Sequence, residues 1–272
     1  MGDLEDFIDQ QLLKGRAFFT KPEALVALHQ SPQALQAAAA RLAKKGRLAS
    51  PRRGFYLVLR PEDRPLGAPD PARWIDPLMA HLGLDYRVSL LRAAAFHGAA
   101  HQAAMVFQVI SPRQLPLIVI GRHRIEFLYQ TPEAFAQSNQ PAWLDRLKTD
   151  AGFAKVAGLE LTLLDMCRYF HRAGGISAAA QAVHDLGAKA RGSVLAAAAR
   201  AYDNTAVRRL GYLLEHFGCT RQSRFLTPYA EQAKSFKLLD PSNKPAARPL
   251  AAREERNKLW KLTINIDVEI DA

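Results

Sequence analysis

The sequence predicts an α+β protein in which a small helical piece closed by a hairpin precedes a larger mixed piece. Three observations carry this reading. Helix-capping signatures recur up to Gly46 and give way to two short β-type runs. The segment PEDRPLGAPDP, 61–71, holds four prolines and a glycine in eleven positions. Beyond it, strand-length apolar runs are followed by a series of segments with helical periodicity.

In the first piece Leu4, Phe7, Ile8 and Leu12 recur at helical spacing, so a helix is expected to stop near Gly15. Phe18 and Phe19 form a short extended segment. TKPE at 20–23 is a capping box: the threonine hydroxyl accepts from a backbone N–H three residues on, while the glutamate reaches back. Pro22 suits the first turn of the helix this box opens, which carries Leu25, Val26 and Leu28 and ends by His29. Ser31 before Pro32 caps a third helix, QALQAAAARLAKK, stopped by Gly46. Leu48 and the run 55–59 are two strands around ASPRRG. Helix, helix, helix, hairpin is the order of a winged helix-turn-helix. The expected division is therefore 1–60 for that domain and 72–272 for a larger mixed α/β C-terminal domain. Between them, 61–71 is expected to be a linker, because proline lacks a donor and restricts its predecessor.

In the second piece, 73–82 and 89–98 have helical patterns. The runs 107–110 and 117–120 are strand-like, and the turn GRHR pairs the latter with 125–129. Four helices are expected at 160–171, 176–186, 193–202 and 206–217, and KLWKLTINIDVEI alternates as a terminal strand.

Composition narrows the partners. The chain of 272 residues can bury a core unaided, and 37 Lys plus Arg against 26 acids give a net charge of +11. Such an excess suits a polyanion. Two cysteines, Cys167 and Cys219, are too few and too distant for a disulfide framework or a cysteine-based metal site, so a reduced cytoplasmic setting is expected. The start, MGDLEDFIDQQ, has no basic n-region before an apolar core, so no signal peptide is expected. Apolar runs such as LPLIVIG are too short to span a bilayer, and no membrane partner is expected.

The third helix carries the strongest candidate chemistry. Leu35, Ala38, Ala39 and Leu42 define a buried stripe, and the opposite face shows Gln33, Gln36, Ala37, Ala40, Arg41 and Lys44. Glutamine pairs bidentately with adenine, arginine reads guanine, and lysine neutralises phosphate. Small alanines let the backbone approach a groove wall and touch a thymine methyl. From Ala24 to Arg60 there is no acid, while Arg41, Lys44, Lys45, Arg47, Arg52, Arg53 and Arg60 supply seven positive charges. The expected contacts to double-stranded DNA are Ser31, Gln33, Gln36, Ala37, Arg41, Lys44 and Lys45 on the helix, with Arg52 and Arg53 at the wing tip. A solvated basic face, or a winged helix used to bind protein, is the rival reading.

Elsewhere the signals are weaker. His97 and His101 are four apart, but Gly98 follows where a zincin needs glutamate. Glu126, Glu160 and Asp165 are acids of the kind a nuclease uses, though no spacing compels a cluster. Gly174 and Gly175 precede a helix without a phosphate-binding pattern. In RRLGYLLEHFG, Arg208 and Arg209 form the basic, exposed start of an amphipathic helix. No catalytic residue, metal ligand or cofactor is expected.

The hairpin GRLASPRRGFYLVL, the stretch GAPDPARWIDPLMAHLGLDYRVSLLRAAAFHGA, then AVRRLGYLLEHFG and the terminal RNKLWKLTINIDVE together resemble the AbiEi antitoxins. The resemblance covers nearly the whole chain through soft apolar, glycine, arginine and aromatic landmarks. It implies one half of a type IV toxin–antitoxin system of abortive infection, a defence against phage. The implied N-terminal domain binds inverted repeats in its own promoter and represses the operon, and maps onto 31–45 and 48–59. The implied C-terminal domain opposes an AbiEii toxin, a nucleotidyltransferase-like protein, without enzymatic activity of its own. No motif places its antitoxic residues; Arg208 and Arg209 are the expected partner-binding pair. Self-association on repeated half-sites is expected because one small module buries too little for tight specific binding. The alternatives are a nuclease delivered to DNA by its winged helix, and an orphan regulator with no toxin.

Overall fold

Local signals set the boundaries of the first elements. The computed structural model describes residues 3–99, 106–149, 152–243, 255–268 and 270, and over them the chain is a mixed α+β protein. It begins with helix α1 (Leu4–Leu13), strand β1 (Phe18–Thr20), helix α2 (Lys21–Leu28) and helix α3 (Pro32–Lys44). Strands β2 (Leu48–Arg52) and β3 (Phe55–Val58) follow, then helix α4 (Ile75–His81) and strand β4 (Arg87–Val88). Helix α5 (Leu90–Phe96) leads to strands β5 (Phe107–Ser111), β6 (Ile118–Ile120) and β7 (His123–Tyr129). Helix α6 (Pro132–Ser138) precedes strands β8 (Leu144–Thr149) and β9 (Gly152–Ala157). A helical series follows: α7 (Leu159–Arg168), α8 (Gly175–Leu186), α9 (Gly192–Ala199), α10 (Asn204–His216), α11 (Thr220–Ser223) and α12 (Thr227–Gln232). Strands β10 (Lys237–Leu238), β11 (Glu255–Asn257) and β12 (Leu262–Ile264) close the chain.

The chain divides into two compact units, along a line other than the one the proline-rich segment suggests. One comprises Met1–Val88, Met105–Pro132 and Arg146–Val156, the other Ser89–Ala104, Glu133–Asp145 and Ala157–Ala272.

In the first unit, α1, α2 and α3 cover a three-stranded sheet of order β1-β3-β2. The capping box forms as the sequence predicts: Thr20 Oγ1 accepts from the Glu23 N–H, and Glu23 accepts the Thr20 N–H at 2.7 Å. Leu4, Phe7, Ile8, Phe19, Leu28, Leu35, Leu42 and Val58 fill this core, with Phe7 edge-on to Phe19 at 5.3 Å. A six-stranded mixed sheet of order β6-β7-β5-β4-β9-β8 completes the unit, and Ile118–Ile120 pairs antiparallel with His123–Tyr129 across the GRHR turn.

Residues 61–71 are ordered rather than a free linker. They form 3₁₀ turns at Pro61–Leu66 and from Pro71, and buried Asp63 accepts from the Arg60 N–H and from Arg73. The backbone N–H of Arg122 donates to the Leu66 carbonyl at 2.8 Å. A Cβ on Gly121 would lie 2.0 Å from that carbonyl oxygen, so only glycine allows the approach. The prolines here stiffen a docked segment.

The second unit is mainly helical. Helix α7 is buried from Glu160 through Cys167, with α5, α8, α9 and α10 packed against it. A small sheet of order β10-β12-β11 lies at its C-terminal end.

Candidate nucleic-acid interface

Helix α3 owes its position to its two ends. Ser31 Oγ accepts from the Ala34 N–H at 3.2 Å and Pro32 supplies the first helical φ, while Gly46 at φ 65° turns the chain away. Leu35, Ala38, Ala39 and Leu42 are buried, which turns Gln33, Gln36, Ala37, Ala40, Arg41 and Lys44 outward together. Six residues expected on one face are exposed on one face.

Their charges are not all equally available. Lys45 Nζ lies 3.0 Å from Glu5, and Arg47 pairs with Asp9 and sits 3.8 Å from Glu5, so α1 neutralises the end of α3. Arg60 pairs with Glu62. Among the described residues no ion pair holds Arg41, Lys44 or Arg53. The seven-charge run thus narrows to a smaller set of unpaired cations.

The hairpin separates its two arginines. Gly54 takes φ 78° at the turn, and its carbonyl accepts the Lys21 N–H at 2.8 Å, tying the tip to the start of α2. Arg53 is exposed there. Arg52 is half-buried, donates from Nη2 to the Pro116 carbonyl, and has its pKa pushed down by burial. Of the two arginines expected at the wing tip, Arg52 is thus engaged by a loop of the same unit while Arg53 is exposed.

Arg208 and Arg209 correct the sequence reading more sharply. Both are buried, at 2% and 8% exposure, on the inner side of α10. Arg208 Nη1 donates to the carbonyls of Lys261 at 2.9 Å, Ser235 at 3.2 Å and Trp260 at 3.3 Å. Arg209 donates to the Leu239 carbonyl from Nε at 2.8 Å and covers the Phe170 ring, 5.0 Å from its centroid. Burial lowers both pKa values, and the charge of Arg209 lowers that of Arg208 further. One turn along, a Cβ on Gly211 would fall 2.1 Å from Trp260, whose indole donates to Glu215. The motifs RRLGYLLEHFG and KLWKLTIN are two halves of one packing device, and the expected exposure of the two arginines is corrected: both are buried within it.

The remaining candidates are held locally. Asp165 is fully buried and accepts from Ser89 Oγ and Tyr202 Oη, each at 2.6 Å. Glu160 accepts from the Arg191 N–H at 2.8 Å and from its Nε at 3.1 Å. Burial pushes the Glu160 carboxyl up, but these bonds outweigh it and hold it below the usual range. Glu126 stands on β7 with Gln108 as a 3.4 Å donor, in the other compact unit. His97 Nε2 lies 2.8 Å from the Ala157 carbonyl, and His101 falls outside the described residues. Gly174 and Gly175, at φ 87° and 91°, form the left-handed entry to α8. Cys167 and Cys219 are free thiols, and burial pushes Cys167 up to about 12. Among the described residues no group of three or more His, Cys, Asp or Glu could hold a metal, and no helix is long and apolar enough to cross a membrane.

Residues 87–216, from β4 through α10, match the AbiEi antitoxin C-terminal domain, a match that supports an antitoxin role in a toxin–antitoxin system. Over that segment the chain is similar to the AbiEi antitoxins, a family whose partner is a toxin. A search among curated proteins gives no significant match. Among solved structures, the crystal structure of the RV2827C protein from Mycobacterium tuberculosis superposes with a TM-score of 0.63 at 14% identity, covering 94% of this chain and 89% of that one. At that identity the likeness is one of fold.

Proposed function

We propose that residues up to Arg60 form a winged helix-turn-helix that binds inverted repeats in the protein's own promoter and represses the operon. The rest of the chain carries a non-enzymatic antitoxic activity against a nucleotidyltransferase-like toxin. The single observation behind the DNA-binding half is the outer face of α3, where Gln33, Gln36, Arg41 and Lys44 are all exposed with no acid among them. The order α1, β1, α2, α3, β2, β3, with β3 between β1 and β2, supports the winged-helix assignment. In this reading α3 enters the major groove, Lys44 meets phosphate, and Arg53 reaches phosphate or the adjacent minor groove. Two or more copies cooperate on repeated half-sites. Cytoplasmic action follows from that role.

A mobility-shift titration on the protein's own upstream DNA tests the proposal. Arg41→Ala combined with Lys44→Ala should lower affinity, and loss of the Lys44 phosphate contact should lower the slope of log affinity against log salt by about 0.9, the amount each phosphate neutralised on a duplex adds. An unchanged slope and affinity would remove α3 from the interface. Metal-dependent cleavage of plasmid that Asp165→Asn abolishes would replace the repressor reading by the nuclease one.

A further inference from the structure

In the second unit α9, α11 and the 3₁₀ turn Arg224–Leu226 pack together. The two stretches that build this face, 186–202 and 216–230, contain no aspartate or glutamate and carry Lys189, Arg191, Arg200, Arg221 and Arg224. Arg191 is engaged by Glu160. Among the described residues no ion pair occupies Arg221 or Arg224, both of which are exposed or half-exposed. These two guanidiniums and the ring of Phe225 line an open groove of about 370 Å³.

Phe225 is 48% exposed, yet its ring is fixed from beneath. A Cβ on Gly192 would fall 2.2 Å from ring carbon Cδ2 and 2.3 Å from Cε2, so the ring lies against bare backbone at the start of α9. Glycine there lets one side of the ring seat on the helix while the other meets solvent. An anchored, half-open aromatic beside two unpaired guanidiniums is the pairing that stacks a base and holds its phosphates.

We propose that this groove binds single-stranded nucleic acid, with a base stacked on Phe225 and the flanking phosphates on Arg221 and Arg224. A duplex fits poorly, since its bases already stack on each other and offer no free face. An acidic protein segment would engage the arginines, but its carboxylates gain nothing from the electron-rich face of the ring. The assignment uses only residues of the second unit and stands apart from the reading of α3.

Fluorescence anisotropy of the full chain with a short labelled single-stranded RNA of mixed sequence, against the duplex of the same sequence, tests it. The single strand should bind more tightly. Phe225→Leu, which keeps apolar volume and removes the stacking face, should weaken it roughly 5- to 150-fold. Phe225→Trp should keep or improve binding, which separates stacking from loss of fold. Arg221→Ala with Arg224→Ala should lower the salt slope by about 1.4. Arg41→Ala with Lys44→Ala should leave single-strand binding intact, so the two interfaces fail separately. Equal binding of strand and duplex by the chain carrying Arg41→Ala and Lys44→Ala, or Phe225→Leu at full affinity, overturns the proposal. Competition by polyglutamate as effective as by unlabelled RNA also overturns it, in favour of an acidic protein partner.

Discussion

Helices α3 and α10 carry cations that look alike in the sequence and meet opposite fates in the fold. On α3, Arg41 and Lys44 point outward with no counter-charge among the described residues. On α10, Arg208 and Arg209 point inward and bond to main-chain carbonyls on either side of β10 and before β12. The difference lies in what each helix is packed against. Helix α3 buries small and aliphatic side chains that need no polar partner. Helix α10 receives the C-terminal strands, whose carbonyls need donors, and long guanidinium stems supply them from a buried position. Basic residues on an amphipathic helix thus divide between ligand surface and internal clamp according to the acceptors nearby.

The strongest way to break this comparison is Arg208→Ala. It leaves the carbonyls of Ser235, Trp260 and Lys261 without that donor, and a loss of roughly 3 kcal/mol is expected in urea unfolding. Unchanged stability with lost toxin neutralisation would return Arg208 to a partner surface. By contrast, Arg41→Ala with Lys44→Ala should stay within about 0.5 kcal/mol of wild type in the same assay, as exposed sites do.

Next in size is Glu160→Gln. Because the Glu160 pKa is lowered on folding, its contribution is present above the ordinary value of 4.5 and lost as pH falls through the folded value. The stability gap between wild type and variant should therefore close in acid below that pH; a gap constant across the range would mean that Arg191 does not stabilise the carboxylate.

The smallest effects should divide the wing. Arg53→Ala is expected to lower the salt slope of DNA binding by about 0.9 and leave stability alone. Arg52→Ala should chiefly destabilise the first unit, by about 1 kcal/mol, through removal of its bond to Pro116. Identical behaviour of the two variants would erase the distinction.

Much of the N-terminal fold and its outer face was legible because the signals act over a few residues. Thr20 with Glu23, Ser31 with Pro32, and the Leu35–Leu42 stripe fix helix ends and a buried face without help from distant chain. Strand β8, LDRLKT, was not legible: it lies at a sheet edge, where exposed polar side chains replace alternation. Nor was the groove at Phe225, although the acid-free run 216–230 signals it, since its aromatic floor depends on Gly192. The prolines of 61–71 suggest a linker until Gly121 is seen beneath Leu66.

The sequence by itself determined the caps, the helix periods, the hairpin turn at Gly54 and the sign of the α3 face, because each rests on backbone preference or side-chain spacing within one element. Only the tertiary structure decided which cations are free. Whether Arg41 faces water and Arg208 faces carbonyls depends on contacts tens of residues apart, and burying a charge is tolerated only where such contacts supply its hydrogen bonds.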